Sequence, residues 1–369
     1  MNTLAYINAS FLWVFGFAVL YHVVKYWNEP FKRDVRYSEI VYVISFFIIG
    51  FYVLNLFEGQ PVETHNLNLL YGIMLGAFVA INFWLFGINI IPEMLKVKKN
   101  PELIDNDPVI TRDYDKFLAD INEKYTTESS EDIMKDLTRK ALHFVLLAIV
   151  IGVHELAHYL EPNLAEMGLT PIVFRNFVYI VAAMFFVFMF TTADLIRVAN
   201  FKILPNWARK WYSRSLEART ESHTLISSVP FLLTLILFIN SPVQVLFSAA
   251  VVSSVADAMA SIVGKNFGKR KLKSFGRYPE KSVEGLVAGA FSTFVGVWLV
   301  FQAYPIEGST NLMVVAVALV CTFAFIYIDA FAKALCDNIL NVIVPGLLTA
   351  FCIQLFFGYG DFAYLFPLF

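Results

Sequence analysis

Charged residues are scarce in this chain. Of its 369 residues only 16% are Asp, Glu, Lys or Arg, whereas 58% are hydrophobic and 16% are aromatic. Soluble and disordered chains carry much more polar surface, so the composition excludes both classes. The chain also has no excess of basic residues, since it contains 28 Lys and Arg and 30 Asp and Glu. This balance excludes nucleic acid as a partner. The composition is typical of a polytopic membrane protein.

Cysteine is rare, and no cleavable signal sequence is evident. Cys321, Cys336 and Cys352 stand in apolar stretches without CxxC spacing, so we expect neither a disulfide framework nor a thiolate metal site. The amino end lacks a basic segment, and its apolar run from Leu4 to Val24 is long enough to span a bilayer. We therefore expect this run to be the first transmembrane helix.

Long hydrophobic runs, by contrast, are abundant. Stretches of roughly 18 apolar residues or more predict an all-α fold with about ten transmembrane helices. The predicted spans cover residues 4–25, 38–57, 67–92, 141–160, 172–196, 224–240, 243–263, 284–304, 312–330 and 338–358. All of the 28 Lys and Arg except Arg175 fall near alternate loops. The positive-inside rule then places those loops in the cytoplasm and both termini on the non-cytoplasmic side.

Composition divides the chain into three parts. Residues 1–92 are predicted to form an accessory bundle of three transmembrane helices, and residues 93–137 a polar cytoplasmic connector. Residues 138–369 form a core of seven spans that holds almost every polar residue inside the membrane. The core therefore carries the predicted function.

One segment of the core, residues 200–220, is too polar to span. Trp207 and Trp211 share one helix face while Arg209 and Lys210 lie elsewhere, a pattern typical of a helix in the headgroup layer. We expect most charges of this segment to be solvated.

Ionisable and amide side chains of the core gather at its predicted cytoplasmic end. Such a group in hydrocarbon costs ~3 kcal/mol or more, so each is a functional candidate. The candidates are His143, Asp194, Asp257, Asp329, Asp337 and Asn338. Asp194 is equally well explained by an ion pair with Arg197 one turn on. The structural alternative for Asp257 is a helix–helix hydrogen bond or an ion pair, for example with Lys333.

The most basic loop, residues 264–283, adjoins these helix ends. Its lysines include Lys265, Lys269, Lys271 and Lys281, and Gly264 and Gly268 allow the backbone to approach an anion closely. A polyphosphate suits this loop, and the simpler alternative is contact with anionic lipid headgroups. Because Mg²⁺ binds through one or two carboxylates plus phosphate oxygens, Asp257 favours the polyphosphate. We predict Mg²⁺ on Asp257 and a triphosphate on the four lysines.

Four ordered motifs over about residues 136–350 resemble those of a known family. They are Arg139-Lys140-Ala141-Leu142-His143, Asp257-Ala258-Met259-Ala260 continuing to Gly264 and Phe267-Gly268, Lys281-Ser282-Val283-Glu284-Gly285 with Ala288-Gly289, and Asp337-Asn338 with Pro345. On these residues the chain resembles the polyprenol kinase family of dolichol kinase, phytol kinase and CTP-dependent diacylglycerol kinase, which is distantly similar to phosphatidate cytidylyltransferase. The chain departs from the family pattern at Ala256, at Leu286 and in the spacing from Asn338 to Pro345.

The resemblance implies transfer of the γ-phosphoryl group of CTP to the hydroxyl of a membrane lipid alcohol, with Mg²⁺ as cofactor and CDP as product. Dolichol or polyprenol is the first choice of acceptor, before diacylglycerol and phytol. The motif residues of the implied nucleotide site are Arg139, Lys140, Gly264, Gly268, Ser282 and Asn338. The base for the hydroxyl proton is Asp337, Asp329 or His143, with Asp337 preferred. The site would face the cytoplasm from the endoplasmic reticulum membrane of a eukaryote or the cell membrane of a prokaryote.

Three alternatives of other kinds remain. His154-Glu155-Leu156-Ala157-His158 fits the HExxH pattern of an intramembrane zinc metalloprotease, in which two histidines bind zinc and the glutamate is the base. A third ligand is not apparent in the sequence, and the segment lies at the opposite end of its span from the other polar residues. A cytidylyltransferase-like lipid enzyme is the second alternative. A transporter with buried acids is the third.

Overall fold

The computed structural model describes residues 3–28, 36–57, 64–104, 107–127, 129–216, 222, 228–272, 281–331 and 336–358. These ranges are helical and contain no strand apart from an isolated antiparallel bridge between Lys271 and Ser282. The expectation of an all-α membrane protein is confirmed.

Fifteen α-helices make up the described chain. The first seven are α1 (Thr3–Lys25), α2 (Arg36–Leu54), α3 (Thr64–Asn82), α4 (Ile91–Lys99), α5 (Tyr114–Thr127), α6 (Ser129–Tyr159) and α7 (Glu161–Glu166). The others are α8 (Pro171–Asn200), α9 (Asn206–Ser215), α10 (Ser228–Ile236), α11 (Val243–Val251), α12 (Asp257–Phe267), α13 (Val283–Ala303), α14 (Asn311–Phe331) and α15 (Asp337–Phe357). Two π-helical segments, Phe83–Ile90 and Val252–Ala256, join α3 to α4 and α11 to α12.

Eight helical stretches in the described residues are long and apolar enough to cross a membrane, where hydropathy predicts about ten. Almost all of the predicted span 141–160 lies in α6, which continues to Tyr159 and whose described apolar part is His143–Tyr159. In the predicted span 224–240, α10 ends at Ile236 and turns follow. The end of α10 is thus earlier than hydropathy places it, because a hydropathy window counts apolar residues without locating the end of a helix.

An aromatic cluster joins the accessory bundle to the core. The Phe188 ring of α8 lies 4.5 Å from Phe15 of α1 and 5.1 Å from Phe78 of α3, measured between centroids. All three side chains are buried. Because aromatic pairs add to the stabilisation from buried area, the two parts pack as continuous hydrophobic structure.

Glycines set the spacing of α12, α13 and α14. A Cβ atom on Gly285 of α13 would lie 2.5 Å from the carbonyl oxygen of Ala260 on α12. A Cβ atom on Gly289 would lie 2.5 Å from the Phe325 ring of α14. Small residues allow helix backbones to approach closely in membranes. Helix α13 therefore packs tightly between the helices that carry Asp257 and Asp329.

A buried ion network fastens the connector to α4 and α9. The Arg112 guanidinium contacts Glu93 at 2.8 Å and Asp107 at 2.7 Å, and Arg209 contacts Asp107 at 2.9 Å. Burial alone would raise the pKa of Asp107, but the Val109 amide and the two guanidinium groups lower it to about 2. The expectation that the charges of residues 200–220 are mostly solvated is wrong for Arg209, whose exposed fraction is 0%.

Candidate functional site

The first part of the site is a contact between Lys140 and Asp257. The π-helical segment Val252–Ala256 ends directly before Asp257, which begins α12 and is only 8% exposed. Lys140, on α6, contacts the Oδ2 atom of Asp257 through its Nζ atom. Such π-helical segments occur frequently at functional sites. The sequence suggested Lys333 as an ion-pair partner of Asp257, and that residue lies outside the described ranges.

His143 follows Lys140 by one turn of α6. Its exposed fraction is 2%, and its ring stacks on Phe231 of α10 with centroids 4.8 Å apart. The motif from Arg139 to His143 thus directs Lys140 and His143 into the bundle. The backbone of Arg139 belongs to α6, and its side chain is outside the described part of the chain.

The second part of the site is a contact of Lys281 with two aspartates, which connects the start of α13 with α14 and α15. The Lys281 Nζ atom, just before α13, lies 2.5 Å from the Asp329 Oδ1 atom and 3.2 Å from the Asp329 carbonyl oxygen at the end of α14. The same ammonium lies 3.8 Å from the Asp337 Oδ2 atom at the start of α15. The site thus has two lysine–aspartate clusters, and the tight packing of α12, α13 and α14 keeps them at one end of the bundle. We call this end, with residues 264–272, the basic end.

Residues 270–272 and 281–283 close the base of the basic loop. The Leu272 amide donates to the Lys281 carbonyl and the Val283 amide to the Arg270 carbonyl, both at 2.9 Å. The Arg270 guanidinium also contacts Glu284 at 3.1 Å. The loop side chains Lys265, Lys269 and Lys271 are exposed, and residues 273–280 lie outside the described ranges. The loop base therefore presents exposed lysines next to Lys281.

Ser282, Gly264 and Gly268 have clear packing functions. The Ser282 hydroxyl accepts a hydrogen bond from the Gly285 amide at 3.1 Å and caps α13. A Cβ atom on Gly268 would lie 2.5 Å from that hydroxyl oxygen, and one on Gly264 would lie 3.1 Å from it. The predicted contacts of these residues with phosphate stay predictions.

Asn338 and Asp337 begin α15. The Asp337 Oδ1 atom accepts a hydrogen bond from the Asn338 amide at 3.0 Å. The Oδ1 atom of Asn338 is buried and has no hydrogen-bond partner among the described residues. Buried polar atoms normally have partners, so a group from outside the protein suits this position.

Sequence reasoning missed further buried polar groups beside Asp257 and Asn338. The hydroxyls of Ser253 and Ser254, within the turn of π-helix before Asp257, have no partner in the described chain. Asn341, one turn after Asn338, likewise lacks partners for both side-chain atoms there. The sequence did contain a signal for these residues, because each of them lies one helical turn from Asp257 or Asn338. Water or the polar end of a ligand would satisfy these atoms.

Asp194, by contrast, is structural. Its Oδ1 atom accepts a hydrogen bond from Arg197 at 3.1 Å and one from the Tyr212 hydroxyl at 2.7 Å. Both its carboxylate and the guanidinium are buried, and the Tyr212 hydrogen bond joins this pair on α8 to α9. The simple ion-pair interpretation of Asp194 is confirmed.

Comparison with known proteins identifies the core. The model of the cytidylyltransferase family matches residues 133–359, which is more than half of the chain and includes every site residue described above. The chain belongs to the cytidylyltransferase family. No match was found among curated proteins or among solved structures. Family membership indicates a CTP-related lipid enzyme in the membrane, and it supports the cytidylyltransferase-like relationship that the motifs suggest.

The resemblance also implies Mg²⁺. The side chains of this cytidylyltransferase-family site can be compared with the ligands that this ion requires. Groups of three or more His, Cys, Asp or Glu side chains do not come together in the part of the chain that the structure describes. A protein cage for a metal is therefore not formed by these residues. Mg²⁺ needs only one or two carboxylates when phosphate oxygens supply other ligands, and Asp257 fits that requirement.

The HExxH segment lies at the end of the bundle opposite the basic end. The Glu155 carboxylate accepts a hydrogen bond from the Tyr304 hydroxyl, and the His154 Nδ1 atom lies 3.5 Å from an Arg175 guanidinium nitrogen. The His154 and His158 rings are 4.7 Å apart. A guanidinium next to one histidine repels a cation, and no third ligand joins them among the described residues. The geometry does not support a zinc protease.

Proposed function

We propose that this cytidylyltransferase-family protein is a CTP-dependent lipid alcohol kinase. The observation that carries the proposal is the pair of lysine–aspartate clusters, Lys140 with Asp257 and Lys281 with Asp329 and Asp337, beside an exposed basic loop. In phosphoryl transfer the enzyme mainly positions the reactants and neutralises charge, so carboxylates for a metal and lysines for phosphates are the required groups.

The nucleotide would approach from the exposed side of the basic end. Lys265, Lys269 and Lys271 would attract the triphosphate, as exposed cations do. Lys140 and Lys281 lie deeper, and each can exchange its carboxylate partner for a phosphate oxygen because a lysine ammonium turns freely on its stem. Asp257 would hold Mg²⁺, which would supply charge neutralisation for the phosphate groups.

Asp337 is our choice of base. Its side chain is 34% exposed and lies 3.8 Å from Lys281, whereas the Asp329 side chain is 6% exposed and lies 2.5 Å from the same ammonium. A base must be accessible to the hydroxyl whose proton it takes. Asp337 would take the hydroxyl proton while the lipid oxygen bonds to the γ-phosphorus. The bond from that phosphorus to the bridging oxygen breaks, and CDP leaves.

A small apolar crevice lies inside the bundle near this region. It lies between α6, α8 and α10 and begins at Leu146 and Leu232, next to the stacked His143 and Phe231 rings. The other lining residues are Ile149, Val150, Tyr179, Ala182, Ala183, Phe186, Leu235, Ile236, Ile239 and Leu246. Such a lining suits a lipid tail.

Family membership favours a second candidate, cytidylyl transfer to a lipid phosphate. A phosphate oxygen of the lipid would then attack the α-phosphorus of CTP, and pyrophosphate would leave. This reaction needs a cation for the acceptor phosphate, for which Lys140 is placed, and no base for a hydroxyl.

CTP labelled on either the α- or the γ-phosphate separates the two reactions. Purified protein with Mg²⁺ is given polyprenol, phytol, diacylglycerol or phosphatidic acid, and the labelled lipid is quantified. We expect γ-label on one of the alcohols. Release of pyrophosphate with α-label on phosphatidic acid would establish the second candidate instead. Absence of label from every lipid with both forms of CTP would contradict both.

A further inference from the structure

A pocket of about 440 Å³ opens where the accessory bundle meets the core. Its lining residues are Ile88, Asn89, Pro92, Glu93, Pro205, Asn206, Trp207 and Lys210. The first four precede the residues that match the cytidylyltransferase family, so one wall of the pocket lies outside the family core. The pocket is therefore separate from the candidate site and is not made by the family core alone.

Paired tryptophans hold one side of the pocket. The Trp207 ring stacks on Trp84 with centroids 5.9 Å apart, and its Nε1 atom donates to the Asn89 Oδ1 atom at 2.9 Å. The Asn89 amide nitrogen in turn donates to the Trp84 carbonyl at 2.7 Å. These contacts fix the indoles across the junction of the π-helical segment and α9. This wall of the pocket therefore has a defined shape.

The charge of the pocket is positive. Glu93 is neutralised by the buried Arg112 at 2.8 Å, so its carboxylate is not an uncompensated anion. Lys210 is exposed on the other wall. Helix α9 begins at Asn206, and its Pro205 cap residue makes no side-chain hydrogen bond, so the first amides of the helix add a positive partial charge. A phosphate group matches this combination.

The pocket lies at the membrane surface of the basic end. Helix α6 runs away from the basic end after Lys140, and α8 returns towards it. The two helices lie side by side, because the Tyr179 hydroxyl of α8 donates to the Val150 carbonyl of α6 at 2.5 Å. The α9 helix that follows α8 is therefore at the basic end as well. Large apolar side chains next to the pocket are exposed, among them Phe83, Phe86, Ile91, Met94 and Leu95. Exposed apolar residues bordered by tryptophans are typical of the edge of a bilayer.

We propose that this pocket binds the phosphate group of a membrane phospholipid. Lys210 and the first turn of α9 contact the phosphate, and the Trp207 indole, which stacks on Trp84, lies against the glycerol region. The lipid would then bridge the accessory bundle and the core through contacts on both walls. This proposal concerns binding alone and is independent of the reaction that the candidate site catalyses.

A titration with a short-chain lipid tests the proposal. Dihexanoyl-phosphatidylglycerol is added to the full-length protein in detergent, and the bound fraction is measured by native mass spectrometry. Replacing the cation by an anion, Lys210→Glu, is expected to weaken binding about tenfold or more, because a charge-assisted contact is lost and repulsion is gained. Lys210→Ala is expected to weaken binding less. The control Lys202→Glu changes an exposed lysine of the turn before α9 that does not line the pocket, and it should bind as the unaltered protein does.

Two further additions identify the ligand. Dihexanoylglycerol, which lacks phosphate, should not displace the bound phospholipid, and inorganic phosphate at the lipid concentration should not displace it either. Displacement by inorganic phosphate would assign the pocket to a soluble phosphate compound and overturn the lipid proposal. Equal affinity of the unaltered, Lys210→Glu and Lys210→Ala proteins would overturn the pocket as the binding place.

Discussion

The Lys140 ammonium contacts the Asp257 carboxylate inside the bundle and thereby joins α6 to the start of α12. This one contact unites the first two sequence motifs, which are more than a hundred residues apart in the chain. Both side chains are nearly buried, so the removal of either charge leaves the other one in an apolar environment. The pair consequently contributes to stability whatever its chemistry is.

Paired substitution separates catalysis from structure at this contact. Asp257→Asn is expected to lower lipid labelling from CTP by at least about a hundredfold, because the metal and phosphate lose their carboxylate. It also leaves Lys140 unpaired, so the melting temperature in detergent should fall. The double variant Lys140→Met with Asp257→Asn should recover most of the melting temperature and none of the activity. Recovery of activity together with stability would show that the pair is only structural.

Asp337 and Asp329 share Lys281, yet we expect different effects of their removal. Asp337→Asn should lower kcat by about a hundredfold or more, the usual size for loss of a general base, while the melting temperature stays nearly constant. Asp329→Asn removes the closer partner of Lys281 and should lower the melting temperature more than Asp337→Asn does. Parallel kinetic and unfolding measurements check both effects. A lower kcat for Asp329→Asn than for Asp337→Asn would instead identify Asp329 as the base.

The HExxH segment should be dispensable for turnover. Glu155→Gln keeps a hydrogen-bond acceptor for Tyr304, and His158 is exposed, so neither Glu155→Gln nor His158→Ala should alter labelling more than about twofold. Metal analysis of the purified protein should find no stoichiometric zinc. Loss of labelling with loss of zinc in both variants would restore the metal site as a functional element.

Hydropathy and motif spacing predicted the architecture well because they depend on local sequence. The all-α membrane fold follows from the length of the apolar runs, and the pairing of Asp194 with Arg197 follows from their spacing of one helical turn. The partner of Asp257 could not be predicted in this way, because Lys140 belongs to a distant helix whose packing decides which lysine reaches the carboxylate. Burial of Arg209 escaped prediction for the same reason, since its partner Asp107 stands in the connector.

The closeness of α12 and α13 predicts a large effect from a single methyl group. In Gly285→Ala the new Cβ atom meets the Ala260 carbonyl at 2.5 Å, a backbone atom that cannot move aside easily. We expect destabilisation of about 1–3 kcal/mol, as for overpacked cores, with loss of activity because Asp257 and Lys281 move apart. The matched control is Gly72→Ala on α3, where a Cβ atom meets nothing within 4 Å. That variant should unfold at or slightly above the original melting temperature, and equal effects of the two substitutions would contradict the tight packing.

The Asp107 network predicts an acid-sensitive attachment of the connector. Its folded-state pKa of about 2 is below the ordinary value of 3.8, so the stabilisation is fully present above pH 4 and is lost as the pH falls towards 2. The melting temperature of the unaltered protein should therefore drop over that interval more steeply than that of Asp107→Asn, which lacks the titrating group. Asp120→Asn, at an exposed position of α5, serves as the control and should follow the unaltered protein. Parallel curves for the unaltered protein and Asp107→Asn would mean that Arg112 and Arg209 do not depend on this carboxylate for their burial.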